Sequence, residues 1–528
     1  ASSLKEALPL GNGRLGAIIS GTAWRDTIGL NEESIVAGPP ASVGAVAQQM
    51  RARAARAREM QVLMADGDIR GAERAAAELA SGSVHSYEFL GTIGLMLTPS
   101  ACTNGGGAHV SAAAAAAQQT VDQSDRVDCS QVSSKLPANS AYRRQLDLST
   151  AVASVRFVAA GCVVERHALV SAVDDVLALK LNASCALDVT LSLERNDDKG
   201  NSRLEASALT PSLPHPARFL PNAALAMVGA ASSGGTGFAA VLSLASVLPV
   251  GTGARVDGSR LELRGAREAV VTLTAATDFA ERVGVPSGPK PTAGEGGGGG
   301  GILASRCAAK LDAAAALGWA NLLARHVRSH AARFGALSLS INSGGSVPMA
   351  AASAAAGLPT DRRLHASRSA RTEDGGLVAQ MTQLGRYLLM GASGARASLP
   401  ANLQGVWADS ARPPWGADFH MNINLQQMYW QAGPGGLRAC AAPLAPFLTR
   451  LAASGAHVAR HLYGTTSEAA WMAHGFTDAW ASAAPLAPPM WAMCASCGGW
   501  AALQLWQRFE FSRRPTDLRE AWPLLRGS

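Results

Sequence analysis

Two periodicities divide the chain. Up to about residue 282, apolar and polar positions mostly alternate with a period of two, the spacing of a half-buried strand. Residues 154–158 and 162–170 predict two neighbouring strands, residues 176–181 a third, and Asp257-Gly258 a hairpin turn. Many short strands separated by turn residues favour a large antiparallel β-sandwich.

The period changes to 3.6 after residue 302, which predicts helices. The stretch before it is rich in Pro and Gly and ends in six glycines, which predicts a flexible connector. A low-complexity stretch at residues 99–137 predicts a surface insertion in the β region. The predicted organisation is a β domain (1–285), a Gly-rich linker (286–301), a helical linker region (302–373) and a helical domain (374–528).

Composition limits the class of protein. A chain of 528 residues is too long for one hydrophobic core. No apolar run reaches the roughly 18 residues of a membrane span, so no membrane partner is expected. The net charge of +7 comes from arginines scattered without long basic runs, which does not predict nucleic-acid binding.

Eight cysteines in so long a chain do not predict a disulfide scaffold. Cys494 and Cys497 form a single CxxC, which we interpret as two small apolar side chains on a helix rather than a zinc or redox pair. Asn182 begins a glycosylation sequon, which matters only in a secreted protein. Because Ala1 is not an initiator methionine, we expect an incomplete N-terminus. The sequence does not determine the compartment of the protein. A secreted or lumenal location is compatible with it.

Two motifs lack the context that their usual functions need. Residues 11–16 match GxGxxG, but only ten residues precede them and a strand pattern follows, so a tight hairpin loop is favoured over a dinucleotide site. His326 and His330 lie one helical turn apart without an evident third metal ligand. We interpret them as part of a solvated helix face. No metal or cofactor is predicted.

The most informative stretch is residues 399–430, which holds three tryptophans, a double proline and two amide-rich clusters. Nine of the chain's 11 tryptophans follow residue 400. Indole rings stack on the C–H faces of sugars, while amides and carboxylates bind hydroxyl groups. Composition alone also fits a helical core that uses Trp as filler.

The order of short motifs identifies the chain as similar to glycoside hydrolase family 95, the inverting α-L-fucosidases. The resemblance runs along nearly the whole chain, and it is carried by ALPLGNGRLG (7–16), LNEE (30–33), YEFLG (87–91), YRRQLDL (142–148), LPTD (358–361), GRYLL (385–389), LPANLQG (399–405), PPW (413–415) and HMNIN (420–424).

The resemblance implies a multidomain fold in which β precedes α: an N-terminal antiparallel super-sandwich, a helical linker and an (α/α)6 barrel, of which this chain holds a part. It also implies hydrolysis of terminal α-L-fucose, typically α1,2-linked, from a fucosylated oligosaccharide or glycan, with inversion and without a cofactor. Some related sequences act on L-galactose instead.

Inversion requires a general acid and a base. In the family two asparagines position the water, and these fall on Asn422 and Asn424. The glutamate acid and the activating aspartate come from later helices, which we expect beyond Ser528, so the 1–528 chain alone is expected to be inactive. The resemblance also points to sugar contacts by His420, Trp415, Asp478 and Trp480.

Each of these residues has a second interpretation. Asn422 and Asn424 could cap a helix, His420 could lie in the core, and Trp415 could pack a loop. Asp478 could cap a helix, and we expect Arg386 to pair with a carboxylate in the barrel core.

The sequence also departs from the family pattern. Gln431-Ala432-Gly433 lacks the usual acidic residue, His474-Gly475-Phe476 lacks a histidine ring and an amide, and Gln507-Arg508 replaces a Glu-His pair. Three hypotheses stay open: a hydrolase known here from a fragment, a protein that binds fucosylated glycans without cleaving them, and a degenerate remnant.

Overall fold

A computed structural model gives the fold of the chain. It describes residues 6–80, 82–103, 129, 132, 141–196, 203–205, 207–208, 224–249, 252–284, 299–341, 357–370, 374–486 and 488–528. An antiparallel β region is followed by a helical region, so the predicted order of the two is confirmed.

The strands agree with the period-two pattern, including the hairpin turn at Asp257-Gly258 between β13 and β14. The strands are β1 (Leu8–Gly11), β2 (Leu15–Ile19), β3 (Arg25–Glu32), β4 (Gly91–Pro99), β5 (Arg143–Asp147), β6 (Val152–Ala159), β7 (Cys162–Ser171), β8 (Val176–Asn196), β9 (Arg203–Glu205), β10 (Ser207–Ala208), β11 (Ala224–Ala230), β12 (Gly237–Leu248), β13 (Gly253–Asp257), β14 (Arg260–Thr277), β15 (Phe419–His420) and β16 (Phe476–Thr477).

Two long strands organise the β region. The first half of β8 pairs with β7 and its second half with β4, while β14 lies along both halves. The register of β8 against β14 shifts between Leu263 and Glu268, where the pairing passes from one half of β8 to the other. Buried side chains from β2–β4, β6–β8, β11, β12 and β14 meet in a common apolar core, including Phe157, Leu191 and Phe238.

Helices occur in both regions of the described chain and make up most of the second region. They are α1 (Val43–Ala65), α2 (Ile69–Ala77), α3 (Ser100–Thr103), α4 (Phe279–Arg282), α5 (Gly299–Phe334), α6 (Thr360–Ala370), α7 (Gly375–Ala392), α8 (Asn424–Tyr429), α9 (Leu444–His457), α10 (Pro489–Ala492), α11 (Cys497–Ser512) and α12 (Pro515–Gly527), with a π-helical turn at Val458–Leu462.

Helices α1 and α2 correct the expectation of a β pattern throughout the first 282 residues. They are inserted between β3 and β4, and Met50, Met60 and Leu79 pack into the same core as the second region's helices. Ser42 and Asp68 cap them by accepting the N–H groups of Ala45 and Gly71. The pair therefore belongs in space to the helical region.

Helix α5 corrects the interpretation of His326 and His330 as solvated. The two side chains are 4% and 5% exposed, and their Nε2 atoms contact the carbonyl oxygens of Ala151 and Leu148 at 3.3 and 2.8 Å. Burial lowers the pKa of His330 to about 4. The histidines therefore join α5 to the β region.

The predicted linker and insertion are only partly described. Residues 285–298 and 104–128 lie outside the described residues, and Gly299–Gly301 belong to the first turn of α5 rather than to the connector. Helix α5 contains a break at Gly318, whose φ is +67°.

Six cysteines form disulfides, which corrects the interpretation of Cys494 and Cys497 as apolar side chains. The pairs are Cys102–Cys129, Cys162–Cys185 and Cys494–Cys497. The turn before α11 brings the Cα atoms of Cys494 and Cys497 to 5.6 Å, a separation that a disulfide spans.

Direct hydrogen bonds join the two regions. Trp407 Nε1 donates to the carbonyl of Leu10 at 2.8 Å, and the Tyr387 hydroxyl donates to that of Pro9 at 2.6 Å. Arg386 is 1% exposed, but it donates to the carbonyls of Gly435, Phe334 and Leu337 rather than to the carboxylate expected from the sequence. None of the described helices combines the length and the apolarity that a membrane crossing needs.

Candidate functional site

The Trp-rich segment is shaped by an unusual backbone. Trp415, Gly416 and Ala417 have φ values of +52°, +65° and +47°, so three successive residues occupy the left-handed region. For Trp and Ala this conformation costs about 1 kcal/mol each. The turn leaves the Trp415 side chain 71% exposed and leads into β15, which pairs His420 with Phe476 of β16.

These residues open onto a cavity of about 790 Å³. This size falls within the range of small-molecule sites. Four of the six predicted site residues meet there, namely Trp415, His420, Asn422 and Asn424. The rest of the lining comes from Leu403, Gln404, Phe476 and Trp491.

The two asparagines offer their amides to this cavity. Asn424 is the first residue of α8, and the preceding residue, Ile423, makes no side-chain cap. Across the described part of the chain, neither carboxamide has a hydrogen-bond partner. The capping alternative therefore has no support from the structure, and both amides are available to a ligand.

The imidazole of His420 is hydrogen-bonded to the buried carboxylate of Asp418. Its Nδ1 atom bonds to Oδ1 of Asp418, whose side chain is 3% exposed. The imidazole packs on the Phe476 ring, with the centroids 4.4 Å apart, and meets Trp415 edge-on at 6.5 Å. Burial raises the pKa of Asp418, while the bond to His420 acts in the opposite direction.

Three backbone segments next to the site are hydrogen-bonded to one another. Met421 N–H donates to the carbonyl of Gly475 at 2.7 Å, and Gly475 N–H donates to that of Ala492 at 2.8 Å. His474 Nδ1 accepts from the N–H of Cys494 at 3.3 Å. The disulfide turn is thus linked through residues 474–475 to the loop that carries Asn422.

Asp478 and Trp480 lie outside this cavity. Asp478 is 1% exposed and accepts the N–H groups of His85 and Trp480, both at 3.1 Å. Trp480 donates its indole N–H to the carbonyl of Ala37 at 3.0 Å and stacks on Phe279. In the structure both residues join the helical region to the β region.

Sequence reasoning missed Gln404, Phe476 and Trp491 as lining residues. Gln404 stands in the LPANLQG motif, and Trp491 belongs to the C-terminal set of tryptophans, so both carried a signal. Phe476 carried none, since an apolar ring stands there where the family pattern has an amide. It reaches the cavity because β16 pairs with β15.

The lining restricts the chemistry available. Among the described residues that border the cavity none is an aspartate or glutamate, and across the described ranges no group of three or more His, Cys, Asp or Glu could hold a metal ion. Indole and phenyl rings beside amides and an imidazole can bind a sugar and orient a water molecule.

Two family profiles match the chain. The glycosyl hydrolase family 65 N-terminal domain matches residues 1–105 and 127–282, and the glycosyl hydrolase family 95 catalytic domain matches residues 318–528. The division between them falls where the β region gives way to helices.

Curated relatives and one solved structure extend the comparison. The chain is 28% identical over 535 residues to Alpha-L-fucosidase 2 of Arabidopsis thaliana, covering 99% of this chain and 56% of that protein. It is 24% identical over 539 residues to Probable alpha-fucosidase A of Aspergillus niger, covering 100% of this chain and 58% of that protein. It thus spans a little over half the length of these relatives.

A putative kojibiose phosphorylase from human microbiome has a similar fold, with a TM-score of 0.51 at 9% identity over 98% of this chain and 55% of that structure. The β region and the helical region thus each match a domain of glycoside hydrolases, which is the class of protein that the comparisons indicate. The profile match over residues 318–528 and the two α-fucosidase relatives support the assignment of the chain to glycoside hydrolase family 95.

Proposed function

We propose that this chain is the substrate-binding part of an α-L-fucosidase that removes terminal α-L-fucosyl residues, typically α1,2-linked, with inversion. The observation that carries the proposal is the convergence of Asn422, Asn424, His420 and Trp415 on one cavity, with both amides unpartnered within the described chain. The names of the two relatives support the choice of L-fucose as the sugar.

The asparagines position the water. A carboxamide carbonyl accepts a hydrogen bond from water and orients its oxygen, but an amide cannot take up the proton. As the water oxygen bonds to the anomeric carbon, the bond to the leaving sugar breaks. The leaving oxygen needs a proton from an acid, and the water must lose one to a base.

Neither proton transfer can be assigned to the described lining, which holds no carboxylic acid. The glutamate acid and the activating aspartate that the family resemblance implies are therefore not among the described residues that line this cavity. The same observation favours a second function for the 1–528 chain, the binding of fucosylated glycans without hydrolysis.

The test is to titrate the 528-residue chain with L-fucose, L-galactose and D-glucose by calorimetry, and to assay release of L-fucose from an α1,2-fucosylated oligosaccharide. We expect L-fucose to bind, D-glucose not to bind, and no turnover. Asn422→Ala and Asn424→Ala should leave sugar binding within a fewfold, because their role is to hold water. Turnover by this chain would show that one of its own residues supplies the acid and would overturn the expectation of binding without hydrolysis. Preference for L-galactose would change the substrate, since the two sugars differ by the C6 hydroxyl.

A further inference from the structure

Asp418 contacts the cavity residue His420 but does not itself line the cavity. Its carboxylate bonds to Nδ1 of His420, and its side chain is 3% exposed against 15% for His420. The carbonyl oxygen of Asp418 also accepts the N–H of Leu403 at 2.9 Å, which ties the aspartate to a second lining segment. The backbone that carries the carboxylate is therefore fixed independently of His420.

The imidazole of His420 is fixed on several sides. Its backbone pairs with Phe476, whose ring lies 4.4 Å away between centroids, and Trp415 meets it edge-on. With Nδ1 engaged by Asp418, the remaining ring nitrogen is Nε2. No partner for Nε2 occurs within the described ranges.

We propose that Asp418 is a positioning residue, which holds His420 in the tautomer with the proton on Nδ1 so that Nε2 accepts a hydrogen bond from a hydroxyl group of the bound sugar. This inference rests on the proposed function, because it takes the cavity to bind a sugar.

The chemistry follows from the two ring nitrogens. In a neutral imidazole one nitrogen donates and the other accepts, and a carboxylate on one side selects which. A carboxylate can only accept, so it places the proton on the nitrogen that faces it. Asn422 and Asn424 each present both a donor and an acceptor, whereas His420 in this tautomer presents an acceptor alone. A hydroxyl at that position must then donate a hydrogen bond to Nε2, and a sugar without this hydroxyl leaves Nε2 unsatisfied.

The experiment combines NMR with binding. In the 528-residue chain labelled with 15N-histidine, long-range 1H–15N correlation spectra report the tautomer, and His420→Gln identifies the His420 signals. We expect Nε2 of the parent chain to be unprotonated. In Asp418→Asn the amide can donate to Nδ1, so the Nε2-protonated tautomer should become populated and L-fucose should bind about tenfold more weakly.

The double variant separates positioning from a general loss of structure. If Asp418 acts through His420, Asp418→Asn should weaken L-fucose binding little further in the His420→Gln background. Additive losses, or a tautomer unchanged by Asp418→Asn, overturn the positioning role. So does an Nε2-protonated ring in the parent chain, a result that requires no variant to fold. Absence of L-fucose binding by the parent chain instead overturns the proposed function, while the NMR result still decides whether Asp418 sets the tautomer.

Discussion

Gly11 at the end of β1 lies directly against Gly391 near the end of α7. A Cβ atom on Gly11 would overlap with the Gly391 carbonyl group, and the carbonyl oxygen of Gly391 accepts the N–H of Gly13 at 2.9 Å. The glycines of the GxGxxG match therefore allow close contact between the β and helical regions. The hairpin interpretation accounts for Gly13, whose φ is +98°, and the structure adds the reason for Gly11.

We expect Gly11→Ala to lower the free energy of unfolding by about 2–3 kcal/mol, because backbone has to move at a packed interface. Urea unfolding followed by circular dichroism measures the change. Gly44→Ala is the matched control, since a Cβ at this position in α1 meets no atom within 4 Å. Equal midpoints for the two variants would show that the contact is not close in solution.

The raised pKa of the buried Glu33 carboxyl predicts that the stability of the chain depends on pH. Glu33 is buried and accepts the N–H groups of Ser398 and Leu399 at 2.7 and 3.1 Å. Burial, followed by the neighbouring Glu32 carboxylate, raises its pKa from 4.5 to about 8, against the effect of these hydrogen bonds. Because the folded state then binds the proton more tightly, this group's contribution to stability is present below pH 4.5 and is lost as the pH rises towards 8.

The test compares the chain with Glu33→Gln, which cannot ionise, at about pH 5 and pH 8 by urea unfolding. The stability of Glu33→Gln relative to the parent should increase between the two pH values. A relative stability that stays constant or decreases over this interval would contradict the raised pKa.

Asp517 ties the last helix to the rest of the helical region. It is 1% exposed, and its carboxylate accepts from Arg438 at 2.6 Å and from Arg508 at 2.6 Å. Asp517→Asn removes the buried carboxylate that Arg438 and Arg508 share, so we expect a loss of about 3 kcal/mol in unfolding free energy. Glu520→Gln, which alters only a half-exposed pair with Arg508, should change stability by less than about 1 kcal/mol. Thermal unfolding of both variants decides between these outcomes.

Arg513 ends α11 in a left-handed conformation, with a φ of +52°. Glycine adopts this conformation without steric cost, so Arg513→Gly should raise the unfolding free energy by about 0.5–1 kcal/mol. The neighbouring Arg514 has a φ of −85°, and Arg514→Gly should bring no gain. Unfolding midpoints that fall equally in both variants would show that the Arg513 side chain contributes more than its backbone strain costs.

The Cys494–Cys497 disulfide predicts a link between redox state and sugar binding. Cys494 contacts His474, and the segment next to it contributes Trp491 to the lining of the cavity. Replacing both cysteines by serine should therefore weaken L-fucose binding severalfold by loosening the segment that carries Trp491.

The same double replacement of Cys162 and Cys185 is the matched control, because that disulfide lies in the β region away from the cavity. Binding measured by tryptophan fluorescence should be unchanged there. A loss of equal size in both variants would indicate general destabilisation.

The sequence predicted the parts of the fold that depend on local periodicity. The strands from 152 to 181 and the order of β before α follow from the alternation of apolar residues and from its change to 3.6. The sequence did not predict helices α1 and α2, because they interrupt a β pattern. This inserted helical pair gains its stability from packing on a distant region of the chain.

The sequence also predicted only part of the site. The motifs alone brought Trp415, His420, Asn422 and Asn424 into consideration, and a short segment holds all four in one cavity. Asp478, by contrast, matches the family pattern in sequence, but the folded chain turns its carboxylate towards backbone N–H groups.

What the sequence determined by itself is therefore local: element type, the family motifs and the chemical character of residues 415–424. Tertiary structure alone decided which distant residues meet. Phe476 and Trp491 reach the cavity through strand pairing and a disulfide turn, and Asp418 becomes the support of His420 because burial leaves its carboxylate facing the imidazole. Such contacts depend on the register and packing of separate segments, which no local pattern encodes.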